Sequence, residues 1–440
     1  MKIGFVSLGC SKNLVDTEVM LKRLADAGYT ITPDETEADI IVVNTCGFIQ
    51  SAKEEAIDNI LDVAWLKKNR ALKGIIATGC LVERYREQVL EEMPEVDAVL
   101  GTGSYHKIVE AVEAVARGEK YASFEDKNAA PLGGERIVTT PPYTAYLKVA
   151  EGCDNRCTYC AIPLIRGRMR SRRMEDVVAE AKSLEKIGVK ELNIIAQDTS
   201  RYGLDLYGKY MLPELVQKIL AETQIPWIRL LYLYPDKITD ELVAVIRDND
   251  RVCKYVDLPI QHVNDTVLAR MNRHGDGAVV RAAVEKIRRE IPGVTLRTTA
   301  IVGFPGETEA QFAELCEFVK ETGFDRFGAF TYSPEEGTPA AEFPDQIDEQ
   351  VKQDRYDTLG AVQREVSEKK MQEKIGDVIE VLCEGYDPVA GVQYGRSRAD
   401  APDVDGKVYF TSAKKLPEGV FVNVKITKAL DYDLFGEAVR

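Results

Sequence analysis

The chain has 440 residues and a formal net charge of −15, from 57 basic and 72 acidic side chains. This balance argues against a protein that wraps nucleic acid, which needs a basic surface, although it leaves room for a local basic patch. Nine cysteines make a disulfide framework a poor interpretation, so a reducing compartment, the cytoplasm, is expected. No apolar run approaches the roughly 18 residues of a membrane helix, so no membrane partner is expected.

The first part of the chain, residues 1–125, alternates short apolar runs with stretches of helical periodicity. This alternation predicts an open parallel α/β domain. The predicted strands are Ile3–Leu8, Ile40–Val43, Ile75–Ala77 and Val96–Leu100, with helices between them and a closing helix over Tyr105–Ala116.

Three cysteines, Cys10, Cys46 and Cys80, each follow one of the first three predicted strands. Because parallel strands bring their carboxyl ends to one crevice, these side chains are expected to converge there. Each cysteine has a glycine beside it, which lets the backbone approach a bulky guest. The pattern predicts an iron–sulfur cluster with three protein ligands. The alternative is three small apolar side chains buried at strand ends.

A linker rich in glycine and proline, Ser123–Pro142, leads into a second group of three cysteines. Cys153, Cys157 and Cys160 have the spacing C-x3-C-x2-C, whereas a structural zinc site usually takes four ligands as two pairs. Thiolates are the usual ligands of iron–sulfur clusters, and three of them leave one iron of a four-iron cluster open. The alternative is a buried or zinc-binding cysteine cluster.

Residues 135–372 repeat a β–loop–α pattern six times, which predicts an open, partial β/α barrel with its site at the carboxyl ends of the strands. The predicted strands are Ala145–Ala150, Leu192–Ala196, Ile228–Leu233, Tyr255–Ile260, Leu296–Val302 and Phe327–Tyr332. The loop that carries the second cysteine group follows the first of these strands.

Five arginines lie within Ile165–Arg173, which indicates either a solvated basic loop or a clamp for an anionic ligand. Residues 375–440 are rich in β-type alternation and predict a small antiparallel β-barrel. Such barrels often bind RNA, but acidic residues outnumber basic ones in this segment. The remaining cysteines, Cys253, Cys316 and Cys383, are expected in the core.

The segment Cys153–Cys160, with an aromatic residue at Tyr159, resembles the signature of the radical S-adenosylmethionine superfamily. The resemblance implies that the open iron chelates the amino and carboxylate groups of S-adenosylmethionine, whose reductive cleavage gives a 5′-deoxyadenosyl radical. It also implies that Tyr159 lies next to the adenine, with Ile301-Val302-Gly303 near the same ring.

The three predicted domains together are similar to the methylthiotransferases, and the resemblance spans essentially the whole chain. In that family the C-terminal barrel is called a TRAM domain. The stretches Ser7–Asp16, Gln197–Gly203 and Leu231–Pro235 resemble the branch that modifies a ribosomal protein rather than the branches that modify tRNA. The acidic C-terminal barrel agrees with a protein substrate.

The resemblance implies two 4Fe-4S clusters, one held by Cys153, Cys157 and Cys160 and the other by Cys10, Cys46 and Cys80. S-adenosylmethionine is the implied cosubstrate, used once to methylate a sulfur on the second cluster and once to form the radical. The implied target is the β-carbon of an aspartate in small-subunit ribosomal protein S-twelve, free or in the small ribosomal subunit.

An electron donor such as flavodoxin or ferredoxin is also implied, whereas no acid–base pair is expected because an unactivated C–H bond is not acidic. Two alternatives stay open. One is a tRNA adenosine methylthiotransferase, although tRNA is the less expected partner, and the other is a non-enzymatic iron–sulfur or RNA-binding module.

Overall fold

The computed structural model describes residues 1–439, which form two parallel α/β units and a closed β-barrel in chain order. This arrangement confirms the predicted fold class. Among these residues, no helix combines the length and the apolar character needed to span a membrane.

The N-terminal unit is a six-stranded, wholly parallel sheet in the order β2-β1-β3-β4-β5-β6. Its central strands are buried along their whole length, which explains the continuous apolar run Ile40–Val43. Two three-residue edge strands, β2 and β6, were missed because they are too short to show a pattern. The strands are β1 Lys2–Ser7, β2 Thr30–Thr32, β3 Ile40–Thr45, β4 Gly74–Gly79, β5 Ala98–Leu100 and β6 Tyr121–Ser123.

The helices of this unit lie on both faces of the sheet and bury their apolar sides against it. They are α1 Ser11–Asp26, α2 Gln50–Asn69, α3 Cys80–Tyr85, α4 Gln88–Glu92 and α5 Ile108–Ala116.

The central unit is a second six-stranded parallel sheet in the order β14-β13-β12-β11-β10-β7, with a short antiparallel pair, β8 and β9, beside it. The six predicted strands are found, each within a few residues of its expected bounds. The strands are β7 Thr144–Lys148, β8 Ala150–Glu151, β9 Arg170–Ser171, β10 Glu191–Ile195, β11 Trp227–Leu230, β12 Val252–Asp257, β13 Thr295–Val302 and β14 Arg326–Thr331.

Most helices of the central unit pack against one face of this sheet, and the largest apolar core of the protein lies between the two layers. They are α6 Ile162–Arg166, α7 Met174–Lys186, α8 Leu204–Tyr207, α9 Leu212–Glu222, α10 Asp240–Asp248, α11 Asp265–Arg270, α12 Gly277–Glu290, α13 Glu309–Thr322 and α14 Glu349–Gln372.

The C-terminal unit is a closed barrel in the order β15-β16-β17-β19-β18. Four strand pairs are antiparallel, but β17 and β19 run parallel, unlike the expected all-antiparallel barrel. A ring with an odd number of strands cannot alternate direction at every pair, so one parallel pair is unavoidable. The strands are β15 Val378–Asp387, β16 Val392–Ser397, β17 Val408–Thr411, β18 Phe421–Ala429 and β19 Leu434–Val439.

The C-terminal barrel is joined to the central sheet by a buried ionic triad. Glu191, at the start of β10, accepts hydrogen bonds from Arg396 of β16 at 2.6 and 3.0 Å and from Arg229 of β11 at 3.1 and 3.2 Å. Burial opposes the charge of this carboxylate, but Arg396 and Arg229 outweigh that effect and lower the pKa of Glu191 to about 2. The triad therefore stays charged at neutral pH.

Replacing Arg396 with methionine should destabilise the protein by about 3–5 kcal/mol, because it leaves a buried carboxylate short of one partner. The free energy of unfolding, measured by urea titration, checks this value. The matched control is Lys425→Met in β18, whose side chain is exposed, and it should change stability by about 0.5 kcal/mol or less. Equal stability of the two variants would contradict the importance of the triad.

His262 gives the protein a pH-dependent stability. Burial, with a smaller effect of Arg355, lowers the pKa of His262 to about 3. The unfolded chain binds a proton below about pH 6.5 while the folded protein does not, so stability falls as pH falls through that range.

Between pH 7.5 and 5.5 the wild type should therefore lose about 1.4 kcal/mol more stability than His262→Gln. Urea titrations of both proteins at the two pH values measure this difference. Parallel losses in the two proteins would mean that His262 is charged in the folded state.

Candidate functional site

The first cysteine group lies at the carboxyl ends of three neighbouring strands. Cys10 follows β1 and precedes α1, Cys46 follows β3, and Cys80 begins α3 directly after β4. Asn13 ties these loops together, because its Nδ2 donates to the carbonyl oxygens of Leu8 at 2.8 Å and of Asn44 and Thr45 at 3.2 and 3.3 Å.

The backbones of these loops approach one another closely enough to require glycine. Gly9 has a φ of +83°, and a Cβ atom there would lie 2.9 Å from the Sγ of Cys46. Burial raises the pKa of Cys80 to about 12, an effect that Arg166 opposes and that Cys10 and Cys46 increase. The three sulfurs therefore lie within electrostatic reach of one another.

The second cysteine group lies on a loop that follows β8 at the carboxyl end of β7. Gly152 begins the loop with a φ of +76°, where a Cβ atom would lie 2.1 Å from the carbonyl oxygen of Arg168. Thr158 holds the far side of the loop, since its N–H donates to the carbonyl oxygen of Met271 at 3.0 Å and its hydroxyl donates to the carbonyl oxygen of Arg270 at 2.8 Å. The loop is thus fixed at both ends.

Polar partners surround the sulfurs of this loop. The Sγ of Cys157 lies 3.3 Å from the Tyr234 hydroxyl, and the Arg273 guanidinium stacks 3.8 Å from the centre of the Tyr234 ring. Burial raises the pKa of Cys153 to about 12, and the pKa of Cys160 is raised by burial and by the other two thiols. Electrostatic contact therefore links the three cysteines.

Tyr159, the expected neighbour of the adenine, packs in an apolar cluster with Met271 and Phe304. Ile301, from the other segment expected near the adenine, packs against the same cluster. The fold thus brings both predicted contacts to one apolar wall beside the cysteine loop.

The donor atoms of both cysteine groups suit an iron–sulfur cluster. In residues 1–439 no three histidine, cysteine, aspartate or glutamate side chains form a site for a single metal ion. Each group is also purely thiol, the donor that iron–sulfur clusters use, so these six residues could hold two clusters.

The two cysteine groups come close to each other at the boundary between the parallel units. Cys80 packs against Ala161, the residue that follows Cys160, and against Ile165 of α6. The carboxyl edges of the two sheets therefore lie next to each other.

Four buried charged side chains form ion pairs at this boundary. Lys148 of β7 and Arg166 of α6 both form ion pairs with Asp16 of α1, and Glu151 lies 2.7 Å from Lys148 and 3.4 Å from Arg166. Arg166 also donates to Asn13 at 3.0 Å. Its guanidinium also lies 3.5 Å from the Sγ of Cys80, so this arginine is buried among protein partners and is not solvated.

Two more arginines of the same run are also structural. Arg170 donates to the carbonyl oxygens of Lys127 and Ala130, both at 2.6 Å, and Arg172 donates to that of Lys148 at 2.8 Å. The interpretation as a solvated loop therefore holds only for Arg168 and Arg173, which are exposed.

Sequence reasoning missed Lys12, Asp16, Lys148 and Glu151 at this boundary. Their one detectable feature was a charged residue within an apolar pattern, as at Lys148 in the buried strand β7. Such a residue indicates a buried partner but does not say which one.

Comparisons with known proteins agree with these observations. Residues 2–101 match the model described as uncharacterized protein family UPF0004, residues 147–319 match the radical SAM superfamily, and residues 375–439 match the TRAM domain. A radical S-adenosylmethionine methyltransferase, TsrM, from Kitasatospora setae has a similar fold, with a TM-score of 0.56 at 15% identity over 77% of this chain and 76% of that one.

Two relatives are similar over their full length. The ribosomal protein uS12 methylthiotransferase RimO of Desulforamulus reducens is 50% identical over 100% of this chain and 99% of its own. The protein of the same name from Geobacter sulfurreducens is 50% identical over 100% and 98%. With half of all positions identical from end to end, this chain belongs to the RimO family of radical SAM methylthiotransferases.

Proposed function

We propose that the protein methylthiolates the β-carbon of an aspartate in ribosomal protein uS12, the small-subunit protein S-twelve. The contact of Cys80 with Ala161 carries the proposal, because it brings the first three-cysteine group next to the residue that follows Cys160 of the second. A sulfur source at one group can then meet a substrate radical formed at the other. The names of the relatives supply the substrate.

In this proposal Cys153, Cys157 and Cys160 hold one 4Fe-4S cluster, and the strand-end cysteines Cys10, Cys46 and Cys80 hold a second. When bound, the clusters and S-adenosylmethionine supply the one-electron chemistry and the sulfur, while the protein supplies binding and orientation.

The surrounding residues of the protein have separable roles. The apolar wall of Tyr159, Ile301 and Phe304 offers an aromatic and aliphatic surface for adenine and excludes water. Tyr234 and Arg273 place a hydroxyl and a positive charge beside the sulfur of Cys157. The four buried charges at the boundary keep the two cysteine groups at a fixed separation.

An electron must come from outside the chain, and a small carrier such as flavodoxin or ferredoxin is the proposed donor. All nine cysteines are unpaired, which favours a reducing compartment, the cytoplasm, as the place of action.

One feature of the C-terminal barrel supports tRNA as a second candidate substrate. Tyr394, Tyr409 and Phe435 form a ladder of ring contacts at 5.2 and 6.3 Å, and the ammonium groups of Lys407 and Lys428 lie over two of these rings. Aromatic rings flanked by cations are typical of surfaces that stack nucleic-acid bases. The acidic balance of the chain favours the protein substrate.

Mass spectrometry of both candidate substrates tests the proposal. The protein, reconstituted anaerobically with iron and sulfide and supplied with reductant and S-adenosylmethionine, should add a methylthio group to an aspartate of uS12 and leave bulk tRNA unchanged. Modification of tRNA alone would contradict the proposed substrate and favour the second candidate.

Replacing the cysteines should separate the roles of the two groups. Cys157→Ala should remove roughly half of the iron and abolish cleavage of S-adenosylmethionine, because one of the two clusters loses a ligand. Cys46→Ala should remove a similar amount of iron but spare cleavage while stopping sulfur transfer. Iron analysis and chromatography of 5′-deoxyadenosine measure both effects.

The control for these variants is Cys316→Ala, which removes a thiol on α13 that packs against the central core. It should keep full iron content and both activities. Sulfur transfer that survives in Cys46→Ala would contradict the role of the N-terminal cysteines.

A further inference from the structure

Lys12, in the first turn of α1, is a buried cation that forms no salt bridge with a carboxylate among residues 1–439. The residue is 8% exposed, and the acidic groups that act on its charge are the Tyr232 hydroxyl and the Cys10 thiol. Buried lysines are almost always paired, because removing an ammonium group from water is costly. An ammonium group without a carboxylate partner can therefore bind an anionic ligand.

The ammonium group of Lys12 contacts an aromatic ring. Its Nζ lies 3.3 Å from the centre of the Tyr232 ring, a cation–π contact. Tyr232 has a φ of +63°, unusual for a residue other than glycine. Its N–H donates to Asp257 at 2.9 Å and its carbonyl oxygen accepts from Thr199 at 2.9 Å. Strain held in place in this way is typical of functional sites.

Lys12 lies between the two cysteine groups. On one side, Lys12 follows Cys10 by two residues. On the other side, its partner Tyr232 is two residues before Tyr234, and the Tyr234 hydroxyl contacts the Sγ of Cys157 at 3.3 Å. The ammonium group is therefore close to Cys10 of the first group, and its partner Tyr232 is two residues along the chain from the tyrosine that contacts Cys157 of the second.

The other cations at this boundary are already neutralised. Lys148 and Arg166 are both paired with Asp16 and Glu151. Lys12 is thus the buried cation there that still has N–H donors for an incoming anion.

We propose that Lys12 binds the side-chain carboxylate of the substrate aspartate, an inference that rests on the proposed function. The carboxyl carbon of aspartate is bonded directly to the β-carbon, so an ammonium group that fixes the carboxylate also fixes the carbon that is modified. Charge-assisted hydrogen bonds are short and strong, which suits this positioning role. The same contact makes the protein selective for aspartate over asparagine.

Peptide binding tests the proposal directly. Two fluorescein-labelled uS12 peptides, one with the target aspartate and one with asparagine in its place, are titrated with the reconstituted protein, and fluorescence anisotropy gives both dissociation constants. The wild type should bind the aspartate peptide about 30-fold or more tightly than the asparagine peptide, because the latter leaves the buried ammonium unpaired.

The variants assign this preference to one residue. Lys12→Met should bind both peptides with equal affinity, and Lys12→Arg should restore part of the preference. Lys22→Met, on the same helix but with its ammonium on the surface beside Asp26 and Glu135, should retain the wild-type ratio. Lys12→Met should also still cleave S-adenosylmethionine but with little methylthiolation of the peptide.

Three results would overturn the role of Lys12. One is a Lys12→Met variant that keeps the wild-type preference for aspartate. The others are a loss of iron and a loss of affinity for S-adenosylmethionine in that variant, either of which would assign the lysine to a cofactor. Failure of the wild type to bind and modify the aspartate peptide would instead contradict the proposed function itself.

Discussion

The site depends on two carboxylates and two cations that form buried ion pairs where α1 meets the central sheet. Asp16 and Glu151 neutralise Lys148 and Arg166, and these residues come from both parallel units. Ion pairs of this kind add little net stability compared with apolar contacts, but removing one member leaves an uncompensated charge and costs about 3–5 kcal/mol. The quartet therefore specifies one relative placement of the two units, and with it the separation of the two cysteine groups.

The C-terminal barrel contributes to the site from the opposite end. Its loop of residues 398–405 packs against the central sheet on the side where the strands begin. Asp400 forms a salt bridge with Arg326, and Asp403 and Asp405 accept hydrogen bonds from the hydroxyls of Tyr146 and Tyr255. The amino ends of these strands are covered in this way, so this face of the sheet is occupied by the barrel. Some acidic side chains of this unit are thus partners of arginine and tyrosine side chains of the central sheet.

Most of the fold could be predicted from the sequence because parallel α/β units have a strong local signature. Buried central strands are continuous apolar runs, and the helices between them have a distinct period, so nearly all strands of both sheets were expected close to their observed bounds. The three-residue strands β2 and β6 and the parallel pair β17–β19 were not predicted. Short edge strands lack a pattern, and the parallel pair follows from closure of the whole barrel.

The sequence by itself determined the chemistry of this protein, because the six cysteines keep their spacing and their places after strands whatever the rest of the chain does. It also determined the loops in which they lie, since a glycine such as Gly9 or Gly152 marks a close approach locally. Only the tertiary structure decided which charges meet. The pairing of Asp16 with Arg166 and the unpaired state of Lys12 depend on contacts between residues more than a hundred positions apart, which no local pattern encodes.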